Sequence, residues 1–154
     1  MNGQIRTSYS QAPMTAHEGR MPGVGLPAML RNRNGLMIAG ALSLAISVLA
    51  WISDLTGMVY ACPYCRVERT SIGLLGLVIL ALPWLNRFFA RYLSVAVGAF
   101  GFIVAVMQNF TYGWLLMFQG TFKIHDPWTV DPMLLSGAAL VIIAFQIGII
   151  FEAR

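Results

Sequence analysis

Long apolar runs alternate with short polar segments along this chain. Four such runs cover residues 35–53, 66–85, 93–119 and 133–151. A membrane-spanning α-helix needs about 20 predominantly apolar residues. The wholly apolar part of the second run, residues 71–85, has only 15 residues, so its helix is long enough if it begins near Cys65. The pattern therefore predicts an all-α protein, a four-helix transmembrane bundle.

The polar segments predict how the chain is divided. Residues 1–34 are rich in Gly, Pro, Ser and Thr and lack the charged and apolar regions of a cleaved signal peptide. They indicate a mobile cytoplasmic tail, followed by one four-span membrane domain over residues 35–154. Within that domain, residues 86–92 are expected to form a tight basic loop, and residues 120–132 a polar loop.

Composition narrows the function classes. Of the 154 residues, 58% are hydrophobic and 10% are charged, whereas soluble domains carry about 25% charged residues. The mean hydropathy of +0.71 agrees with this low charge. A soluble enzyme and a disordered tail are therefore poor interpretations, and the protein is expected to be surrounded by membrane lipid. The net charge of +4 comes without a basic stripe, so no nucleic-acid partner is expected.

Arginine and lysine placement predicts the orientation, because cytoplasmic loops are enriched in these residues. One side of the predicted bundle receives Arg31, Arg33, Arg87, Arg91 and Arg154. The other side receives Arg66, Arg69 and Lys123, together with Asp54, Glu68, Asp126 and Asp131. Both termini are therefore expected in the cytoplasm, with the cysteines on the oxidising outer face.

Small residues four positions apart predict close packing between helices. The pairs are Ala41 and Ala45, Gly101 and Ala105, and Ala144 and Gly148.

The chemistry-bearing motif is CPYC, formed by Cys62, Pro63, Tyr64 and Cys65. At a helix start, unpaired amide groups and nearby cations favour the reactive thiolate, so a redox-active pair is the leading interpretation. Two alternatives remain: free thiols without a role, and a metal site. Zinc needs four ligands, and His125 is the one histidine expected on the outer face, so no metal is predicted.

The wider string C-x-x-C-x-x-E-R, between the first and second spans, resembles the disulfide bond formation protein B (DsbB-like) family. The string comprises Cys62, Cys65, Glu68 and Arg69, and the resemblance covers roughly residues 35–154. It implies an inner-membrane thiol oxidase that passes electrons from a periplasmic thioredoxin-like or other dithiol protein to ubiquinone or menaquinone. CPYC also matches the glutaredoxin motif, but no βαβ pattern surrounds it here.

The resemblance implies individual roles. Cys62 is expected to face the partner and Cys65 the quinone, with Arg69 holding a quinone carbonyl. Glu68 is expected either to neutralise an arginine or to cap the helix. Gln108, Thr111 and Tyr112, at i, i+3 and i+4 in the third span, are expected either to line the quinone pocket or to hydrogen-bond between helices.

The chain departs from the family in one loop. Family members usually carry a second cysteine pair between the third and fourth spans, and residues 120–132 contain none. In addition, Trp114 stands where some members have a histidine. The chain is therefore expected to oxidise a different partner, to use a cysteine pair from another membrane subunit, or to serve as a non-catalytic accessory subunit of a larger membrane complex.

Overall fold

A computed structural model describes residues 32–59, 62–125, 127 and 130–153. Most of the predicted tail, including His17, lies outside the described residues, as do Arg31, Asp126 and Arg154. The helices are α1 (Arg33–Leu55), α2 (Pro63–Ala81), α3 (Arg87–Asn109), a π-helical turn (Phe110–Trp114), α4 (Leu115–Phe118) and α5 (Pro132–Glu152). No strand occurs in the described part of the chain, so the all-α prediction is confirmed there.

Side-chain caps explain where three helices begin. Cys62, Asn86 and Asp131 each occupy an N-cap position, where a side chain accepts a hydrogen bond from the first turn. Proline follows directly after Cys62 and Asp131, at a position where its missing N–H costs nothing.

The Asn86 cap corrects one expectation. Residues 86–92 were expected to form a loop, but α3 begins at Arg87 because Asn86 Oδ1 accepts a hydrogen bond from Phe88 N at 2.9 Å.

Helix α2 is central, because it packs against α1, α3 and α5. Nine of its 19 residues are buried. Its apolar side chains Leu75 and Ile79 are fully buried and join Ile143 of α5 in the core. Residues at the start of α2 are therefore held by three neighbouring helices.

Three helical segments are long and apolar enough to cross a membrane: Arg33–Leu55, Arg87–Phe118 and Pro132–Glu152. Helix α2 is not among these three segments, and its first two turns contain Arg66, Glu68 and Arg69. The chain is accordingly a membrane protein by the length and composition of its helices.

Glycines set the closest helix approaches. A Cβ atom added to Gly76 of α2 would lie 2.9 Å from Ser43 Cβ of α1, and one on Gly40 would lie 3.0 Å from Gly76 O. These distances leave no room for a side chain, so α1 and α2 meet through small residues.

Of the predicted small-residue pairs, one lies at an interface. Gly101 and Ala105 are buried, and a Cβ on Gly101 would lie 2.5 Å from Ser71 Cβ of α2. The other two pairs were wrong as contact sites, because the rotation of their helices leaves them exposed; they are Ala41, Ala45, Ala144 and Gly148.

Candidate functional site

The cysteine pair lies at the N-terminus of α2, which begins at Pro63, near Cys65 as expected. Cys62 is the N-cap residue, and its Sγ accepts a hydrogen bond from the Cys65 backbone N at 3.5 Å. The Cys62 sulfur therefore lies at the amide end of the α2 macrodipole. Both residues are free thiols; Cys62 is half-buried, whereas Cys65 is 7% exposed. The sulfur at the helix cap is thus also the more accessible one.

Gln108 of α3 binds both thiols with one fully buried amide. Its Oε1 lies 3.8 Å from Cys62 Sγ and 3.6 Å from Cys65 Sγ. Its Nε2 lies 3.3 Å from Cys65 Sγ and donates to Pro132 O at 3.2 Å. An amide can accept from a thiol and donate to a thiolate, so Gln108 can serve Cys65 in both protonation states.

A charged cluster joins α1 to the first two turns of α2. The Asp54 side chain is fully buried, and its Oδ2 lies 2.7 Å from Arg66 Nε and 3.6 Å from Arg69 Nη1. Sequence reasoning placed Asp54 at a span end without this role. The available signal was an acidic residue inside an apolar helix, which usually has a functional or ionic partner.

Two side chains of α2 have buried polar atoms without a hydrogen-bond partner. They are Arg69 Nη1 and Glu68 Oε1. The Glu68 residue is 4% exposed, and the Arg69 side chain is 13% exposed. Buried polar atoms are normally satisfied; of these two, Arg69 Nη1 lies in the ion pair with Asp54 Oδ2 at 3.6 Å. Glu68 is not the helix cap that was one of its two expected roles, because Cys62 occupies that position.

A cavity of about 540 Å³, here called the thiol cavity, opens beside the cysteines. It is lined by Met58, Val59, Cys62, Pro63, Cys65, Arg69, Tyr112, His125, Val130, Pro132 and Leu135. A second cavity of about 360 Å³, largely apolar, shares Cys65 and Arg69 with it and also contains Glu68. The two cavities place a charged guanidinium beside an apolar recess.

Gln108, Thr111 and Tyr112, which were predicted to share one face of the third span, lie in different surroundings. Gln108 is buried, Tyr112 lines the thiol cavity, and Thr111 is exposed with its Oγ1 donating to Met107 O at 2.8 Å. The π-helical turn Phe110–Trp114 begins between Gln108 and Thr111. Its wider turn breaks the 3.6-residue spacing, so Thr111 does not line the cavity.

His125 approaches the site from the segment before α5. Its backbone N–H donates to Asp131 Oδ2 at 3.0 Å, and its Nδ1 lies 3.4 Å from the same oxygen. Burial alone would raise the pKa of Asp131. Hydrogen bonds from the His125 and Leu134 backbone, the His125 ring and the Met133 backbone outweigh it, so the pKa lies below its usual range.

Within the described residues, no three His, Cys, Asp or Glu side chains converge as metal ligands do. No protein-family model, no curated protein and no solved structure matches this chain.

Proposed function

We propose that this protein is a thiol–quinone oxidoreductase of the bacterial inner membrane. It takes two electrons from a periplasmic dithiol protein through Cys62 and Cys65 and passes them to ubiquinone or menaquinone. The observation that carries the proposal is the contact of both sulfurs with one buried amide, Gln108, at a cavity that also contains Arg69. A structural thiol pair would not need such a shared polar partner.

The electron balance is that of thiol–disulfide exchange. A partner thiolate attacks Cys62 of the Cys62–Cys65 disulfide, a mixed disulfide forms, and Cys65 leaves with the electron pair. The partner's second thiol then releases Cys62, which leaves the partner oxidised and the CxxC pair reduced. Reoxidation of the pair delivers two electrons and two protons to the quinone.

The residues beside Cys65 suit a quinone, which combines two carbonyl acceptors with an apolar tail. Arg69 lines both cavities, and its Nη1 lies 3.6 Å from Asp54 Oδ2 in an ion pair. A guanidinium held in this way stabilises negative charge on a nearby oxygen. The adjoining recess is lined by apolar side chains of α1 and α5, including Ile46, Ala139 and Ile142. When bound, the quinone would accept the two electrons.

The proposed topology has four spans, with α2 as the fourth. Its charged residues Arg66 and Arg69 pair with buried Asp54 of α1, which reduces the cost of placing them near the membrane. Arg33, Arg87 and Arg91 lie at the opposite helix ends, on the proposed cytoplasmic side. A membrane-impermeant thiol reagent should label Cys62 in intact, reduced cells, and labelling only after permeabilisation contradicts the orientation.

The activity is tested with purified protein in lipid nanodiscs, dithiothreitol as the donor and a short-chain ubiquinone as the acceptor. We expect quinone reduction that requires the protein and is abolished in Cys62→Ser. The proposal is contradicted if quinone is reduced only at the uncatalysed rate although the Cys62–Cys65 pair can be oxidised and reduced.

The second candidate is a non-catalytic accessory subunit, which is favoured by the absence of cysteines from residues 120–132. This reading predicts a stable complex with another membrane protein and no quinone reduction by the isolated chain.

A further inference from the structure

We propose that His125, positioned by Asp131, is the general base for thiol exchange at Cys62. The inference deepens the proposed function and rests on it, because it assigns the proton-transfer group for the donor half of the reaction. The donor it implies is a protein or small molecule that presents a protonated thiol to the outer opening of the thiol cavity.

The first observation is the fixed orientation of the imidazole. His125 Nδ1 and its backbone N–H both face Asp131 Oδ2, at 3.4 and 3.0 Å. A carboxylate at Nδ1 favours the tautomer with the proton there, which leaves Nε2 as the proton acceptor. The same relation between a buried carboxylate and an imidazole orients the base in nucleophilic active sites.

Asp131 is itself rigidly held. It is 2% exposed, and its Oδ1 accepts hydrogen bonds from Met133 N at 3.0 Å and Leu134 N at 3.2 Å. One carboxylate oxygen therefore caps α5 while the other holds His125. Because both oxygens belong to one carboxylate, His125 is tied to the start of α5, although His125 itself lies outside the helices.

The second observation is the shared cavity. His125 and Cys62 both line the thiol cavity, and the His125 side chain is 65% exposed. A donor thiol that reaches the half-buried Cys62 therefore enters the space that the imidazole borders. Cys65, which is 7% exposed, is the less accessible sulfur.

The charged and titratable groups around this space are few. Helix α2 contributes Cys62, Cys65 and Arg69, and the π-helical turn contributes Tyr112. Arg69 is paired with Asp54 of α1, and α5 contributes Pro132 and Leu135, which carry no charge. Among the described lining residues, His125 is thus the side chain whose ring nitrogen can accept a proton from a donor thiol.

His125 Nε2 removes the proton from the donor thiol, and the resulting thiolate attacks Cys62 Sγ of the Cys62–Cys65 disulfide. The donor–Cys62 bond forms, the Cys62–Cys65 bond breaks, and Cys65 receives the electron pair. A free thiol with a pKa of about 8.5 is only a few per cent thiolate at pH 7, so a base at this position can raise the rate by roughly 10-fold or more.

The test measures single-turnover reduction of the Cys62–Cys65 disulfide by dithiothreitol, without quinone, between pH 6 and pH 9.5. We expect His125→Gln to be roughly 10-fold slower than wild type at pH 7 and nearly equal at pH 9.5, where the donor ionises without help. Asp131→Asn keeps a cap oxygen for α5 but loses the carboxylate at Nδ1, so it should show a smaller loss with the same pH dependence. Lys123→Gln, an exposed change in the same segment, is the matched control.

A constant fractional loss at every pH, or wild-type rates in His125→Gln at pH 7, overturns the base role. This readout is separate from quinone turnover. If disulfide reduction depends on His125 as expected but quinone is not reduced, the proposed function fails and the base assignment stands.

Discussion

The two ends of the helical bundle differ in the material that they bury. The end that carries the cysteines buries polar and charged side chains, namely Asp54, Glu68, Gln108 and Asp131. The far end buries aliphatic side chains, namely Leu75, Ile79, Ala90, Ile149 and Ile150. Each of the four long helices runs from one end of the bundle to the other, so the same helices contribute residues to both ends.

Hydrogen bonding sharpens the contrast. Among the described residues, four buried side-chain polar atoms lack a hydrogen-bond partner, and three of them belong to Asp54, Glu68 and Arg69 at the cysteine end. At the far end, the fully buried Ser94 hydroxyl donates to Arg91 O at 2.8 Å. Unsatisfied buried atoms lower stability, so the far end is expected to stabilise the bundle while the cysteine end is arranged for reaction.

The largest expected effect is on turnover at the cysteine end. Cys65→Ser removes the sulfur that leaves when Cys62 is attacked, so no Cys62–Cys65 disulfide can form and quinone reduction should fall by about 10³-fold or more. When Cys62 of this variant attacks an aromatic disulfide reagent, one aromatic thiolate leaves and the other half stays on Cys62 as a mixed disulfide, because Cys65 is not there to displace it. Aromatic thiolate release measures this, with one equivalent per chain expected in Cys65→Ser and two in reduced wild type, and Cys62→Ser, which lacks the more accessible sulfur, is the matched control. Turnover by Cys65→Ser near the wild-type rate contradicts the assignment.

The far end should respond in stability instead. Leu75 is fully buried, so Leu75→Ala should lower the free energy of unfolding by about 2–5 kcal/mol without changing the rate at which Cys62 reacts with a thiol reagent. Its neighbour Leu74 is 43% exposed, and Leu74→Ala should cost much less. Equal losses in the two variants would show that the far end is not the stabilising core.

The next prediction separates the two arginines that share Asp54. Arg69 lines the thiol cavity, whereas the Arg66 side chain is 47% exposed and does not. Arg69→Ala should raise the apparent KM for quinone by about 10-fold, which corresponds to 1.4 kcal/mol. Arg69→Lys should raise it less, because it keeps the charge and loses the planar fork. Arg66→Ala is the control. If it raises the KM for quinone as much as Arg69→Ala does, Arg69 is not part of the quinone site.

The smallest expected effect is a pH dependence at Asp131. Because its pKa is lowered in the folded protein, the charged carboxylate contributes stability that is fully present above its unfolded pKa. This contribution is lost as the pH falls through the lower folded value. Wild type should therefore exceed Asp131→Asn in unfolding free energy by about 0.5–1 kcal/mol at pH 6, and the difference should shrink as the pH falls below the unfolded pKa of about 3.9. A difference that is independent of pH would assign the effect to packing.

Sequence patterns anticipated several parts of the site because those parts are local. The spacing of Cys62, Cys65 and Arg69 places them in the first turns of one helix, wherever that helix packs. The polar residue Gln108 in an apolar run was a visible candidate, although neither its contact with both sulfurs nor its bond to Pro132 O was visible. The i, i+3, i+4 argument failed at Thr111, because the π-helical turn interrupts the regular helix that the argument assumes.

Apolar runs and their lengths by themselves determined that this is an all-α membrane protein, since helix periodicity and span length are properties of contiguous residues. Tertiary structure alone decided which side chains meet: Asp54 with Arg69, Gln108 with both cysteines, and His125 with Asp131. These contacts depend on the rotation and relative height of separate helices. Those are set by the fit of small residues such as Gly40 against Gly76, which local hydropathy does not encode.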